Sequence, residues 1–471
     1  MSLDYQQFLA GKALLAESVG IDVDERLLHP ALKPFQRALV RWALRRGRAA
    51  LFEGTGLGKT LQQLVWARTV ADHEHGPVLI LTPLAVAEQT VAEAKKFGIP
   101  GVAYARDEDD IKSAIVVTNY ERFEKFDIEE FAGIVLDESG IIKSHDGKTR
   151  AMLTEACRGT PWKLCCTATP APNDYAELGQ HAEFLDVMTA KEMLSMFFVH
   201  DGSIRANDDS AGSDGWRLKR HAARDFWRWL ASWAAMVRHP RDLGLEDAGY
   251  DLPPLNMHQI TVAADLKPMA GQLFPFAAST LSERIAVRRD TIDERVRAAV
   301  NLLGPTKQPV IIWCQLNKEQ DAIEDVLGGE CMSIYGSLSA DEKVSRIQRW
   351  LAGERPVLAT KAKIFGFGMN LQCCAKMIFI GASDSFESTY QAIRRCWRFG
   401  QTRPVDCYFI ASELEGNVVA NLRRKEIAYE AMLDAMSEHM RDLMREQVLG
   451  RTRKDASYSP MIEMELPAWM A

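Results

Sequence analysis

The chain has 471 residues, 47% apolar and 26% charged, with a formal net charge of −7. That length exceeds what one compact core organises and predicts two or three domains of ordinary soluble composition. No apolar run approaches the roughly 20 residues that span a bilayer. The opening MSLDYQQFLAGK lacks the basic start and apolar core of a secretory leader, so a cytoplasmic protein without a membrane partner is expected. The acidic balance requires any nucleic-acid surface to be local. Nine cysteines include the adjacent pairs Cys165-Cys166 and Cys373-Cys374 but no C-x-x-C spacing. Buried free thiols in a reducing compartment are expected, not a zinc site.

From about residue 48 to 170, short apolar or β-branched runs alternate with helical patterns. Strands are predicted at Ala49–Glu53, Val78–Thr82, Ala114–Thr118, Ile134–Asp137 and Lys163–Thr167, with helices such as Thr60–Asp72 and Ala85–Phe97 between them. The rhythm restarts near residue 285, with strands at Val310–Cys314, Cys331–Tyr335, Val357–Thr360, Met377–Ile380 and Asp406–Ile410 and a helix at Asp341–Ala352. Strand–helix alternation implies right-handed crossovers and parallel sheets covered on both faces, hence two α/β lobes in tandem. The expected domains are an N-terminal helical extension (1–29), a first lobe (30–185), a helical insert and linker (186–284), a second lobe (285–411) and a C-terminal helix and tail (412–471). No repeat of solenoid period occurs.

Within 186–284, the polar run 201–215 reads as a loop, and 216–237 as one continuous helix. Its Arg217, Arg220, Arg224 and Arg228 fall on one stripe, opposite Phe226, Trp229, Leu230, Trp233 and Val237. The arginines suit phosphate contacts without sequence reading or, equally, a solvated face; the aromatics suit a core. A long charged helix is predicted over about Asn417–Leu449, as a surface brace with salt pairs. Beyond it, Arg451, Arg453 and Lys454 could touch DNA, and the apolar end Met464–Ala471 could dock on the body or on a protein partner.

Glu53-Gly-Thr-Gly-Leu-Gly-Lys-Thr60 follows a strand and opens a helix. Glycines at 56 and 58 let amides point at phosphate oxygens, and the helix N-terminus adds a favourable dipole. Lys59 is placed to reach β/γ-phosphates and the Thr60 hydroxyl to complete a Mg²⁺ shell. Ile134-Val-Leu-Asp-Glu138 ends a strand in two carboxylates, Asp137 for the metal and Glu138 for the attacking water. These features alone also fit a small-molecule kinase or a GTPase.

Further motifs narrow the choice. Leu32-Lys-Pro-Phe-Gln36, Leu81-Thr82-Pro83, Val117-Thr118-Asn119-Tyr120, Asp137-Glu-Ser-Gly140, Thr167-Ala-Thr169-Pro, Tyr335-Gly-Ser337 with Arg346, Ala359-Thr360-Lys361, Gly366-Phe-Gly368-Met-Asn370 and Tyr390-Gln391-Ala-Ile-Arg-Arg395-Cys-Trp-Arg398-Phe-Gly-Gln401 occur in order. The series resembles the superfamily-two helicases, and most closely their Swi/Snf-like DNA translocase branch, over about residues 30–410. The resemblance implies two RecA-like lobes with ATP and Mg²⁺ between them. It also implies Gln36 on the base, Gly56, Gly58, Lys59, Thr60 and Gly368 around the nucleotide, and Arg395 and Arg398 as arginine fingers. Thr167, Thr169 and Gln391 would couple the sites, and Thr82, Thr118, Asn119 and Thr360 would touch nucleic acid, with duplex DNA the expected partner. Ser139-Gly140 replaces the family's Gly-His ending, and Arg394 and Trp397 replace its usual acid and histidine. The compact form also resembles motors carried by phages and prophages.

Independently of the resemblance, Gln391, Arg395 and Arg398 fall at i, i+4 and i+7, one helical face. A guanidinium from the second lobe would offset charge on a transferring phosphoryl group. The expected activity is ATP hydrolysis driving translocation on DNA. A strand-separating DNA or RNA helicase is the alternative; an inactive scaffold and a restriction-system motor are weaker readings.

Overall fold

The computed structural model describes residues 15–83, 86–143, 148–171, 174–200, 216–246, 250–263, 281–362, 371–381, 386–415 and 418–449. The first part runs α1 (Pro34–Arg46), β1 (Arg48–Glu53), α2 (Lys59–Glu74), β2 (Val78–Thr82), α3 (Ala87–Phe97), β3 (Val102–Tyr104), β4 (Ile115–Asn119), β5 (Gly133–Asp137), α4 (Lys148–Ala156), β6 (Trp162–Thr167), α5 (Leu178–Phe184) and α6 (Ala190–Phe197). There follow β7 (Phe198–His200), β8 (Trp216–Leu218), α7 (Ala223–Ala231), β9 (Ala234–Val237) and β10 (Leu255–Val262). The second lobe continues with α8 (Leu281–Asp290), α9 (Ile292–Leu303), β11 (Val310–Cys314), α10 (Asn317–Leu327), β12 (Cys331–Ile334), α11 (Ala340–Leu351), β13 (Val357–Lys361), β14 (Lys376–Phe379), α12 (Phe386–Cys396) and β15 (Val405–Ser412). One 32-residue helix, α13 (Val418–Leu449), closes the described chain.

Two sheets carry the lobes. The first has order β3-β4-β2-β5-β6-β1-β9 and the second β10-β15-β14-β11-β13-β12, with every pairing parallel. Strands such as VLILT, GIVLD and VIIWC are buried along their whole length, because parallel sheets bury both faces and so select continuous apolar runs. Their carboxyl ends share one edge, bringing Glu53, Asp137 and Thr167 together where crossover loops leave room for a ligand.

The stretch expected as an insert and linker instead supplies a strand to each lobe. β9 pairs with β1 (Ala50↔Ala234 to Glu53↔Val237), and β10 pairs with β15 along eight residues. The continuous helix expected over 216–237 is therefore corrected. Only Ala223–Ala231 is α-helical; β8 precedes it and β9 follows. Ser232 Oγ donates to the Trp229 carbonyl at 2.6 Å, ending the helix, and Ala-Ala-Met-Val then extends beside β1. Packing against β1 overrides the local helical pattern. Of the N-terminal extension expected over 1–29, residues 1–14 lie outside the described residues, and 15–29 hold the 3₁₀ turn Glu25–Leu27.

Helix α13 enters both cores. Val419 and Leu422 belong to the second lobe's cluster, whereas Tyr429, Leu433, Met436, Met440, Met444 and Val448 belong to the first lobe's. Six side chains at three- and four-residue spacing bury one stripe, contributing on the order of 10 kcal/mol before entropy. Arg445 adds bonds to the Arg241 and Asp242 carbonyls, and Arg46 adds one to Gln447.

In the second lobe, Arg295 is fully buried, 2.5 Å from the equally buried Glu319 and 2.5 Å from the Ile380 carbonyl. Glu319 also accepts from the Gln315 and Leu316 amides. Removing one member of a buried pair leaves the other charge uncompensated. Arg295→Met is expected to destabilise the second lobe by about 3–5 kcal/mol, measured as a lower urea midpoint; a midpoint equal to the parent's would contradict this account.

Candidate active site between the lobes

The phosphate loop starts at the end of β1 and ends as α2 begins. Gly56 and Gly58 have φ of +91° and +81°, a region L side chains avoid. Gly56 has a second constraint, because a Cβ there would lie 2.3 Å from Phe399 Cβ of the second lobe. Lys59 Nζ donates to the Glu53 carbonyl at 2.9 Å and the Gly54 carbonyl at 3.3 Å. Gln36 receives the Lys33 amide on Oε1 at 2.9 Å and donates from Nε2 to the Leu57 carbonyl at 2.7 Å. It thus lies against the loop as a clamp.

Facing Lys59, Asp137 ends β5 and Glu138 follows with φ +55°, left-handed backbone that a non-glycine residue adopts only when its surroundings impose it. Tyr120 OH donates to the Asp137 carbonyl at 2.8 Å, and Gln63 Nε2 donates to its carboxylate at 2.7 Å. Burial pushes the Asp137 carboxyl up to about 6, aided by Glu138 and opposed by Gln63 and Lys59. Glu138 Oε1 accepts from Thr167 Oγ1 at 3.4 Å, and Thr167 Oγ1 accepts from the Thr169 amide at 3.1 Å.

The second lobe completes the cleft through α12. Gln391 Nε2 reaches Glu138 Oε1 at 3.5 Å and Thr169 Oγ1 at 3.3 Å. Arg395 and Arg398 line one cavity of about 330 Å³ with Gly56, Gly58, Lys59, Thr60, Asp137 and Glu138. Burial draws the Arg395 guanidinium down to about 10, countered by Glu138, so it stays protonated at neutral pH. The donors that could hold a metal, the Thr60 hydroxyl and the Asp137 carboxylate, are both hard oxygens. Two such protein ligands suit Mg²⁺, which keeps waters and phosphates for its other positions.

The structure thus brings together Lys59, Thr60, Asp137, Glu138, Thr167, Thr169, Gln391, Arg395 and Arg398. It does not bring the four expected strand-end contacts to the surface. Thr82, Thr118, Asn119 and Thr360 are 0% exposed. Thr82, Thr118 and Thr360 donate to the carbonyls of Thr118, Ala105 and Ile334, and Asn119 donates to Tyr104 OH. Their side chains are buried and engaged in these internal bonds. Arg220, Arg224 and Arg228 are exposed and Arg217 half-buried, spread over β8, a 3₁₀ turn and α7. Phe226, Trp229, Leu230, Trp233 and Val237 are core. Gly368 and its motif, the loop 201–215 and the tail 450–471 lie outside the described residues. Eight cysteines are buried and Cys373 exposed, all as free thiols.

Sequence reading missed Gln62 and Gln63. Their spacing of three and four residues from Lys59, on the first turn of α2, is the signal that could have found them. Glu53 lies 1% exposed, with both carboxylate oxygens receiving Gln62 Nε2 at 3.0 and 2.9 Å. Burial pushes its carboxyl from 4.5 up to about 7, with Lys59 and Gln62 opposing. Between those values the native chain holds a proton the unfolded chain has released, so stability falls as pH rises, by at most about 1.4 kcal/mol per unit. Glu53→Gln is therefore expected to gain thermal midpoint over the parent progressively from pH 4.5 to 7, read by scanning calorimetry; parallel curves would refute the assignment.

Comparison with known proteins follows the same division. A family model described as "SNF2-related domain" matches residues 35–200, and "Helicase conserved C-terminal domain" matches 294–400. "Protein CHROMATIN REMODELING 19" of Arabidopsis thaliana is 24% identical over 201 residues, 35% of this chain and 26% of that protein. "SWI/SNF-related matrix-associated actin-dependent regulator of chromatin subfamily A-like protein 1" of Drosophila melanogaster is 23% identical over 436 residues, 85% of this chain and 56% of its own length. The chain therefore spans between about a quarter and just over half of these relatives. A solved structure, "Sulfolobus solfataricus SWI2/SNF2 ATPase core in complex with dsDNA", is 19% identical with a TM-score of 0.41, covering 91% of this chain and 99% of that one. The two family models together cover more than half of the chain in the order of its two lobes, and this protein belongs to the SNF2-related family.

Proposed function

We propose that the chain hydrolyses ATP between its lobes and uses the resulting closure to translocate on double-stranded DNA. The observation that carries the reading is Gln391, which reaches from the second lobe to both Glu138 and Thr169 of the first. One side chain thereby links the residue suited to orient water with the turn between β6 and the segment that follows it.

Lys59, now satisfied by two loop carbonyls, would turn its ammonium N–H donors from them to the β/γ-phosphates. The loop amides at 56–60 would bind the phosphate oxygens, and Thr60 and Asp137 would hold Mg²⁺. When bound, the ion offsets charge on the phosphates. Glu138, fixed by its left-handed backbone and by Thr167, would orient the attacking water and receive its proton. Arg395 and Arg398 would stabilise the charge spread over the transferring group, typically worth 10³–10⁵ in rate for such arginines. Because those arginines belong to the other lobe, product release would free the lobes to separate.

The nucleic-acid surface is assigned to Arg220, Arg224 and Arg228, whose exposed guanidinium groups suit phosphate contacts that ignore sequence. The family membership and relatives named for chromatin remodelling favour duplex over single strand. Among the described residues no helix is long and apolar enough to cross a membrane.

ATP turnover is expected to rise with duplex DNA well above its rate alone, with single strands or with RNA, and without release of a labelled strand. Equal rates in all four conditions would overturn the motor. Lys59→Ala should abolish stimulated turnover, and Arg398→Ala should lower kcat at least 10³-fold while leaving ATP binding nearly intact. Arg224→Ala with Arg228→Ala should reduce the slope of log affinity against log salt by about 2 for duplex DNA; an unchanged slope would move the DNA surface elsewhere.

A further inference from the structure

Beside the cleft lies a second cavity of about 680 Å³, bounded by the phosphate-loop strand, the Arg238–His239 corner, α12 and α13. Glu430, on α13, sits at its corner between cations from opposite lobes. Arg238 follows β9 in the first lobe and pairs with Glu430 and with Asp434 one turn further on. Arg394, on α12 of the second lobe, lies 3.9 Å from Glu430. Its guanidinium is 4.4 Å from the Trp397 ring centroid and donates to Tyr390 OH at 2.9 Å. Trp397 is itself anchored, donating from Nε1 to the Pro253 carbonyl at 2.6 Å.

The neighbouring residue on α13 also reaches α12, and on the first lobe it meets a different segment, the turn after β6. Tyr429 is 3% exposed and donates to the Ala168 carbonyl at 3.3 Å, inside the Thr167-Ala-Thr169 turn. Its ring meets Tyr390 at 5.4 Å and Phe386 at 5.8 Å, both on α12. Two consecutive residues of α13 therefore hold the turn that touches Glu138 and the helix that carries Arg395.

Resting on the hydrolytic reading above, we propose that Glu430 is a positioning residue for the arginine-bearing helix, a latch that sets α12 against the first lobe. The three charges are 16–29% exposed, so water screens them only partly and one carboxylate can bridge two guanidinium groups at modest desolvation cost. Neutralising Glu430 removes the attraction to Arg394 while its amide oxygen still accepts from Arg238. The fold survives and the register of α12 loosens. A small misplacement of a charge-stabilising group costs turnover rather than ground-state binding.

The test uses the full chain with duplex DNA. Glu430→Gln is expected to lower kcat about tenfold or more and leave KM for ATP within about twofold. Asp434→Asn, which removes only a partner of Arg238, is expected to change neither and reports any purely structural loss. In an Arg394→Gln background, Glu430→Gln should add nothing. A dye pair on the exposed Cys373 of the second lobe and on a thiol introduced by Glu124→Cys in the first reads the lobes directly. The distance distribution should be narrow in the parent and broad in Glu430→Gln. Turnover and distances equal to the parent's, a matching loss in Asp434→Asn, or an additive loss in the double variant would each overturn the latch. If the unaltered chain hydrolyses no ATP with any nucleic acid, the motor reading fails; the dye distances still decide the latch.

Discussion

A single helix, α13, leaves the core of one lobe and enters the core of the other. Everything across the cleft is measured against that strut. Lobes joined only by a flexible segment would hold Arg395 and Arg398 at variable distances from Lys59. With Leu422 embedded on one side and Leu433 and Met436 on the other, the spacing is set by a rigid rise of about 1.5 Å per residue. The contacts too weak to hold lobes together alone, Gln391 on Glu138 and Phe399 against Gly56, can then act as alignment.

Within that frame the site is electrostatically tense. Two carboxylates retain their protons unusually high: Asp137 faces an ammonium and two guanidinium groups across a small cavity, and Glu53 is buried within reach of the same ammonium. Each acid is held by a glutamine from the first turn of α2, Gln62 on Glu53 and Gln63 on Asp137. An amide supplies a donor without adding charge, which keeps an acid oriented in a buried place while leaving its protonation free to respond to a ligand. The buried carboxylate of Glu53, at the head of the phosphate loop, is thereby accommodated by the helix that follows it.

The strands of both lobes were legible because a parallel sheet covered on both faces demands uninterrupted apolar runs, and those runs stand out between glycines and polar turns. Lys59, Asp137, Glu138 and Arg395 were legible for another reason: their chemistry requires fixed residue types at fixed local spacing. Ala234–Val237 was not, since two alanines, a methionine and a valine after a helix become a strand only because β1 offers an open edge. Thr82, Thr118, Asn119 and Thr360 show the same limit at the level of one side chain. Their motif positions fix where the backbone turns, but the two-residue alternation of a strand decides which way each side chain faces. The latch at Glu430 was beyond reach altogether, being assembled from three segments that meet only after folding.

The placement of β9 and α13 also sets an order of assembly during synthesis. β1 lacks a neighbour on one side until residue 237 has left the ribosome, and the stripe that receives Tyr429 to Val448 stays uncovered until the second lobe has been made. The first-made lobe is therefore the last to be finished. Through most of translation it carries an open strand edge and an apolar groove, the surfaces on which nascent chains associate wrongly and which chaperones recognise.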